Sequence, residues 1–263
     1  MWHMPMTKQG HKKIVVLIPC KNEMAGIVDV VRGLPYEKAE RLGYVIEPVV
    51  IDNNSDDHTA LVAKAAGATV LFEATPGKGN AMRCGFAYVP YDTDYVVMID
   101  GDHTYSSEEL LRLVEPLDAG FCDVVMGSRM VGKISDGAMS AFNRLGNWGF
   151  SFLVRILYNE NVTDVLTGYW AWTRASLLDL APHVKADGFA IEMEMITKLA
   201  RLNHAVYSVP ISYTARAGES NLRPVRDGFR ILIMLLRNLR WKPRTFVRDA
   251  DAVTLVPGAQ RSS

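Results

Sequence analysis

An α/β fold with a mainly parallel sheet and helices on both faces is what this sequence predicts, and three observations carry that prediction. Short apolar runs alternate with helix-patterned stretches through the first half of the chain, at about 25-residue spacing. The runs are continuous in apolar residues, as strands buried on both faces require. Polar clusters follow three of these runs, after Ile18, Ile51 and Ile99, along the sheet edge where such folds bind ligands.

The elements follow in order. Lys13 to Pro19 is a buried strand closed by proline, and Glu23 to Gly33 has helical spacing and a terminal glycine. Val45 to Ile51 is a second buried strand, although Pro48 is unusual there. His58 to Ala66 is an alanine-rich helix stopped by Gly67, and Ala68 to Phe72 is a third strand. Lys78 to Tyr88 is a helix, Tyr95 to Ile99 a strand, and Ser106 to Leu117 a helix that Ser106 can cap. Asp123 to Met126 is a fifth strand. Beyond residue 128 the rhythm changes: Phe142 to Tyr158 and Phe189 to Leu202 are helical, Ala205 to Tyr213 is extended, and a turn near Asp164 to Gly168 leads into Tyr169 to Trp172. The organisation expected is a catalytic domain over residues 1–220, a basic amphipathic helical segment over 221–248, and a loose tail over 249–263.

Composition narrows the class. With 49% hydrophobic and 22% charged residues, the 263-residue chain is globular. Its 29 basic and 29 acidic residues cancel, which argues against a nucleic-acid surface. Cys20, Cys84 and Cys122 form no C-x-x-C pair, so neither a disulfide framework nor a zinc site is indicated, and a reducing cytoplasm suits the chain. No signal-peptide pattern opens it, and no apolar stretch reaches the roughly 20 residues of a membrane span.

Chemistry concentrates in a few clusters. Asp100-Gly101-Asp102 puts two carboxylates at a strand end, where they can approach one Mg²⁺ or Mn²⁺; alone, the same residues suit a solvated turn. Asp52-Asn-Asn-Ser-Asp-Asp57 offers acceptors to a base or ribose, or caps the next helix. Pro76-Gly-Lys-Gly-Asn80 can bring Lys78 to a phosphate but is not a P-loop, because Phe72 holds the first glycine position and Gly79 the Ser/Thr position. No G-x-G-x-x-G follows the first strand, which argues against a nicotinamide or flavin site, and Cys20 there suits a small buried residue. From Arg223 to Arg248 there are eight basic residues and one acidic, Asp227, around the apolar run Ile231 to Leu236. Such a helix either lies in a membrane interface or packs on the domain with its basic face in water.

Together and in this order, Ile18-Pro-Cys-Lys-Asn-Glu23, Asp52-Asn-Asn-Ser-Asp56, Gly77-Lys-Gly-Asn-Ala81, Asp100-Gly-Asp102, Gly127-Ser-Arg129, Thr163-Asp-Val-Leu-Thr-Gly168, Phe189-Ala-Ile-Glu-Met-Glu194 and Gly218-Glu-Ser220 resemble the GT-A fold, family 2 glycosyltransferases. Within them the chain is most similar to the dolichol- or polyprenyl-phosphate mannosyl- and glucosyltransferases, over residues 13 to 240. The resemblance implies a Rossmann-like sheet and an inverting, metal-dependent hexosyltransferase using a UDP- or GDP-sugar. It implies a donor site of Pro19, Asn22, Glu23, Asp52, Asn54, Lys78, Asp100 and Gly101, with Asp100 and Asp102 on Mg²⁺ or Mn²⁺. Thr104 stands where relatives often carry an amide. Arg129, Arg144 and Arg216 match arginines that meet donor or acceptor phosphates.

The implied acceptor is a lipid phosphate at the inner membrane face, reached by peripheral attachment through Arg223–Arg248, and a homo-oligomer is compatible with this. An alcohol acceptor would need a carboxylate base, for which Asp164, Glu192 and Glu194 are candidates; Asp102 and Asp164 are the expected catalytic pair. The alternatives are a glycosyltransferase for a soluble small acceptor, a sugar-nucleotide nucleotidyltransferase, whose glycine- and arginine-rich first loop is not found at Lys21-Asn-Glu23, and a non-catalytic lipid-binding module.

Overall fold

The structure is a computed structural model, and it describes residues 10–216 and 223–243. A seven-stranded sheet forms its centre, in the order β3-β2-β1-β4-β6-β5-β7. The strands are β1 (Lys12–Cys20), β2 (Tyr44–Asp52), β3 (Thr69–Phe72), β4 (Tyr95–Met98), β5 (Val124–Ile134), β6 (Trp170–Thr173) and β7 (Val206–Tyr213). All neighbours pair in parallel except β6, which runs antiparallel between β4 and β5. Pro48 is tolerated inside β2 because β3 begins to pair only at Val49, so one flank of the strand is an edge at the proline.

Alternation along β1 divides the core. Ile14, Val16 and Ile18 face a layer with α1 (Ile27–Arg32), α2 (Tyr36–Arg41), α3 (Thr59–Ala65) and α5 (Leu110–Asp118). Val15 and Leu17 face α4 (Lys78–Tyr88), α6 (Ala141–Tyr158), α7 (Arg174–Leu180), α8 (Ile191–Arg201) and α9 (Pro224–Asn238). The last helix joins this second layer through Ile231 and Leu235, so the apolar run of the basic segment is anchored on the domain by one face.

Three local expectations are corrected. The stretch from Glu23 turns before it becomes helical at Ile27, and a second helix, α2, follows. Ser106 makes no side-chain cap: residues 107–109 form one 3-10 turn, and the α-helix starts at Leu110. The fifth strand extends to Ile134, because β7 pairs with its more exposed second half across a register shift. Residues 244–263, which include the end of the basic segment and the expected tail, lie outside the described residues, as does Gly218-Glu-Ser220.

The far end of α6 supplies a pH prediction. Burial alone pushes the Glu160 carboxyl up to about 7. The native state therefore keeps a proton that the unfolded chain, with its ordinary carboxylate pKa, releases between about pH 4.5 and 7. This group makes the fold less stable as pH rises through that window. Glu160→Gln should leave the denaturant midpoint unchanged near pH 4 and raise it at pH 8; an equal shift at both values would show that the proton is not involved.

Candidate active site

The parallel register brings the predicted clusters to one edge. Cys20 pairs with Asp52, Leu17 with Met98, and the Ile99 amide donates to the Leu17 carbonyl at 3.1 Å, so the loops after β1, β2 and β4 leave the sheet side by side. Between them lies a cavity of about 150 Å³. Of the expected residues, Pro19, Glu23, Lys78, Asp100, Gly101, Asp102 and Arg216 line it; Lys21, Asn53 and Phe189 line it without having been expected.

Small residues let the acidic loop sit there. A Cβ on Gly101 would stand 2.3 Å from the Cys20 sulfur, and one on Gly168 would stand 2.0 Å from Asp100 Oδ2. Gly168→Ala should therefore push the Asp100 carboxylate off Lys78. Overpacking of this kind costs about 1–3 kcal/mol. The expected result is a lowered melting temperature together with loss of stabilisation by a nucleotide sugar and Mn²⁺; a variant that keeps that stabilisation would show that Asp100 has room to move.

Two cations hold the carboxylates. Lys78, at the start of α4, places its ammonium 2.6 Å from Asp100 Oδ1 and 2.6 Å from Glu192 Oε1, the latter on α8. Burial opposes the lysine charge, but Asp100 and Glu192 outweigh it and lift its pKa above the ordinary lysine value. Burial likewise raises Asp100 and Glu192, with Lys78 partly offsetting the effect. Arg216, beyond the end of β7, bridges Glu23 and Asp102, with Nη1 at 3.2 Å from Asp102 Oδ2. Glu23 is pushed up to about 7 by burial; Arg216 opposes the shift, and Asp102 and Asp100 add to it. Thr104 orients the other Asp102 oxygen, its hydroxyl at 2.6 Å and its amide at 3.1 Å from Oδ1.

Asn53, in the cavity lining, holds the neighbouring loops together. Its amide group donates to the Glu73 and Thr75 carbonyls at 3.2 and 2.7 Å, and its oxygen accepts from the Gly77 amide at 2.6 Å, which fixes the turn that presents Lys78. Asn54, the neighbour expected at the site, instead offers its carbonyl to the Lys21 ammonium at 3.0 Å. Asn22 clasps the same loop, accepting from the Asp56 amide at 2.8 Å, and Asp52 accepts from the Ser55 amide at 3.2 Å. Neither lines the cavity, and both shape the loops that do.

Asp164 and Arg129 are placed differently from expectation. Asp164 is fully buried, and its carboxylate accepts the Arg129 amide at 2.8 Å, Arg129 Nε and Nη2 at 2.7 Å each, and the Asn147 side chain at 2.6 Å. A carboxylate saturated in this way has no lone pair directed at a substrate. Arg129 also donates to the Leu166 carbonyl at 2.8 Å, so its guanidinium is spent on the fold and does not line the cavity. Arg144 is exposed on α6, outside the cavity lining. Glu194 forms an ion pair with Lys198 at 2.5 Å and accepts the Lys185 and Ala186 amides at 2.8 and 2.6 Å, a structural engagement.

A divalent cation fits this donor set when it arrives with a diphosphate. Mg²⁺ and Mn²⁺ sites commonly use one or two carboxylates and complete the shell with phosphate oxygens and water. Asp100 and Asp102 both line the cavity, and a lysine and an arginine stand against them where positive charge is called for. Among the described residues no group of three or more His, Cys, Asp or Glu residues could hold a metal by itself.

Comparisons with known proteins identify relatives of the chain. The model of a family described as Glycosyl transferase family 2 matches residues 15–180. The glycosyltransferase AglJ of Haloferax volcanii is 34% identical over 229 residues, covering 86% of this chain and 72% of that protein. The dolichyl-phosphate hexose transferase of the same organism is 31% identical over 225 residues, covering 85% of this chain and 92% of that one. Among solved structures, glucosyl-3-phosphoglycerate synthase from Mycobacterium tuberculosis, in complex with Mn²⁺, UDP-glucose and phosphoglyceric acid, aligns with a TM-score of 0.67 at 25% identity, over 87% of this chain and 80% of that one.

Proposed function

The chain belongs to glycosyl transferase family 2, and on that premise we propose that it moves a hexose from a UDP- or GDP-sugar to a polyprenyl or dolichyl phosphate at a membrane surface, with inversion. The observation that carries the donor half is the cavity at the strand ends, where Asp100, Asp102, Lys78 and Arg216 converge. In this reading Pro19 and Glu23 flank the nucleoside, Asn22, Asp52 and Asn54 shape its loops, Lys78 meets the diphosphate, and Asp100 and Asp102 hold Mg²⁺ or Mn²⁺. When bound, the cation would stabilise the negative charge that develops on the departing diphosphate, an effect worth several kcal/mol. Arg216, and Arg144 from α6, receive the acceptor phosphate. A phosphomonoester has a second pKa of about 6 and is largely ionised at neutral pH, so transfer to it needs no strong protein base. The engagement of Asp164 and Glu194 in structural pairs is consistent with such an acceptor.

Two neighbouring helices support the lipid half. On α6, Phe142, Leu145, Trp148, Phe152 and Ile156 are exposed at helical spacing, and Trp148 stacks on Phe152. On α9, Val225, Phe229, Ile233 and Leu236 are exposed among Arg226, Arg230 and Arg237, with Arg240 just beyond the helix end. The single acidic residue of α9, Asp227, is buried and accepts the Arg223 amide at 2.8 Å, which leaves the outward charge basic. Apolar rows flanked by arginines suit an anionic bilayer surface. Among the described residues no helix is long and apolar enough to cross a membrane.

The tests are a thermal-shift screen of UDP- and GDP-sugars with Mg²⁺ or Mn²⁺, followed by transfer assays on vesicles of anionic lipid carrying polyprenyl phosphate. A ligand at 100 times its Kd stabilises by about 2.7 kcal/mol, which such a screen resolves. No stabilisation by any donor would remove the reading. A second acceptor class is favoured by the phosphoglyceric acid bound in the similar synthase; turnover on a small phosphorylated acid without lipid would select it.

A further inference from the structure

We propose that Arg216 and a divalent cation compete for Asp102, so that metal binding frees Arg216 to take the acceptor phosphate. The inference rests on the donor and acceptor reading above and adds a coupling between the two to it. Asp102 has one oxygen committed to Thr104, whose hydroxyl and amide both reach Oδ1. Its other oxygen, Oδ2, faces the Arg216 guanidinium at 3.2 Å. A metal–oxygen bond is about 2.0–2.1 Å for Mg²⁺, and a dication at that distance from Oδ2 would share the oxygen with a second positive charge in a partly buried site. The two cations repel one another there, which disfavours holding both at this oxygen.

Arg216 is built to be the one that leaves. Among the described residues, the last backbone hydrogen bond before α9 is at Thr214, whose amide donates to the Thr104 carbonyl at 2.8 Å, and Arg216 stands two residues further on. Its second partner is Glu23, so it can turn away from Asp102 without crossing the cavity. Its Nε is buried and has no hydrogen-bond partner among the described residues. The observed pose therefore leaves a donor unused, while a phosphate accepts two parallel N–H bonds from an arginine fork and would engage it. Lys78 differs: it sits at the start of a helix and is gripped by both Asp100 and Glu192, so it stays in place.

Competition at Asp102 couples donor–metal binding to acceptor binding, each favouring the other. Linkage makes the effect reciprocal: an anion that draws Arg216 away strengthens metal binding by the factor by which the metal strengthens anion binding.

The experiment measures Mn²⁺ binding to the full chain at a fixed concentration of UDP or GDP, whichever stabilises it, by the electron paramagnetic resonance signal of free Mn²⁺ read against the same nucleotide without protein. Losing a charge-assisted contact on Asp102 should make Arg216→Met bind Mn²⁺ about tenfold more tightly than wild type. Arg216→Lys, which keeps the charge, should stay close to wild type. In wild type, geranyl phosphate, a soluble polyprenyl monophosphate, should tighten Mn²⁺ binding after correction for complexation by the free ester, and Arg216→Met should abolish that coupling. Equal or weaker Mn²⁺ binding by Arg216→Met overturns the competition. If the methionine variant does not melt cooperatively, absence of the geranyl phosphate effect in wild type overturns it instead. Wild type that binds neither Mn²⁺ nor any nucleotide sugar removes the donor reading as well, whereas wild type that binds both, with no gain in the variant, removes the competition alone.

Discussion

Asp102→Asn is expected to lower sugar transfer by on the order of a thousandfold while leaving the fold intact, a loss that corresponds to several kcal/mol of transition-state stabilisation. The substitution preserves size and the Thr104 contacts, and Arg216 keeps its pairing with Glu23, so little native structure depends on the charge. What is lost is one of the two carboxylates expected to face a cation and a departing diphosphate. Initial rates with Mn²⁺ and the donor selected by thermal shift measure the effect, and circular dichroism melting monitors the fold. Near wild-type rates in a folded variant would mean that the charge on the diphosphate is balanced elsewhere, and Lys78 would then be the residue to test next. A non-catalytic lipid-binding module would retain vesicle binding in this variant without ever having shown turnover.

Much of this site was legible before any coordinates, for a topological reason. In a parallel sheet the loops after successive strands emerge at the same edge, so continuous apolar runs ending at Ile18, Ile51 and Ile99 place their following residues together whatever the exact packing. The helix predicted over Lys78 to Tyr88 is found with those bounds, because proline and glycine before it mark its start. The helix Tyr36–Arg41 gave no such signal: it has six residues, and only Ala39 is buried, so there is no periodic pattern to detect. The strand Trp170–Thr173 is four residues long and owes its place to antiparallel partners on both sides. Pairings across elements were out of reach for a similar reason. Nothing near Lys78 in the sequence indicates Glu192, and nothing near Arg129 indicates that it will close on a carboxylate 35 positions away.

That last pairing supports the other large expected effect. Asp164→Ala should cost about 3–5 kcal/mol of stability, because it leaves a buried guanidinium without its counter-charge. Arg129 is 8% exposed, and of its hydrogen bonds three end on Asp164 and one on the Leu166 carbonyl. Asn147 would lose its carboxylate acceptor and keep only the Leu166 amide, which loosens the hold of α6 on the loop that carries Gly168 beside Asp100. Replacing the pair together, by Arg129→Met with Asp164→Leu, should cost less than either single change, since no charge is then stranded. Denaturant melts of the two single variants and the double variant form a cycle that isolates this coupling. Were Asp164 instead a general base, Asp164→Ala would melt like wild type and lose turnover alone. The four hydrogen bonds to its carboxylate argue for the opposite pattern: a large shift in the melt, with activity recovering in proportion to the folded fraction.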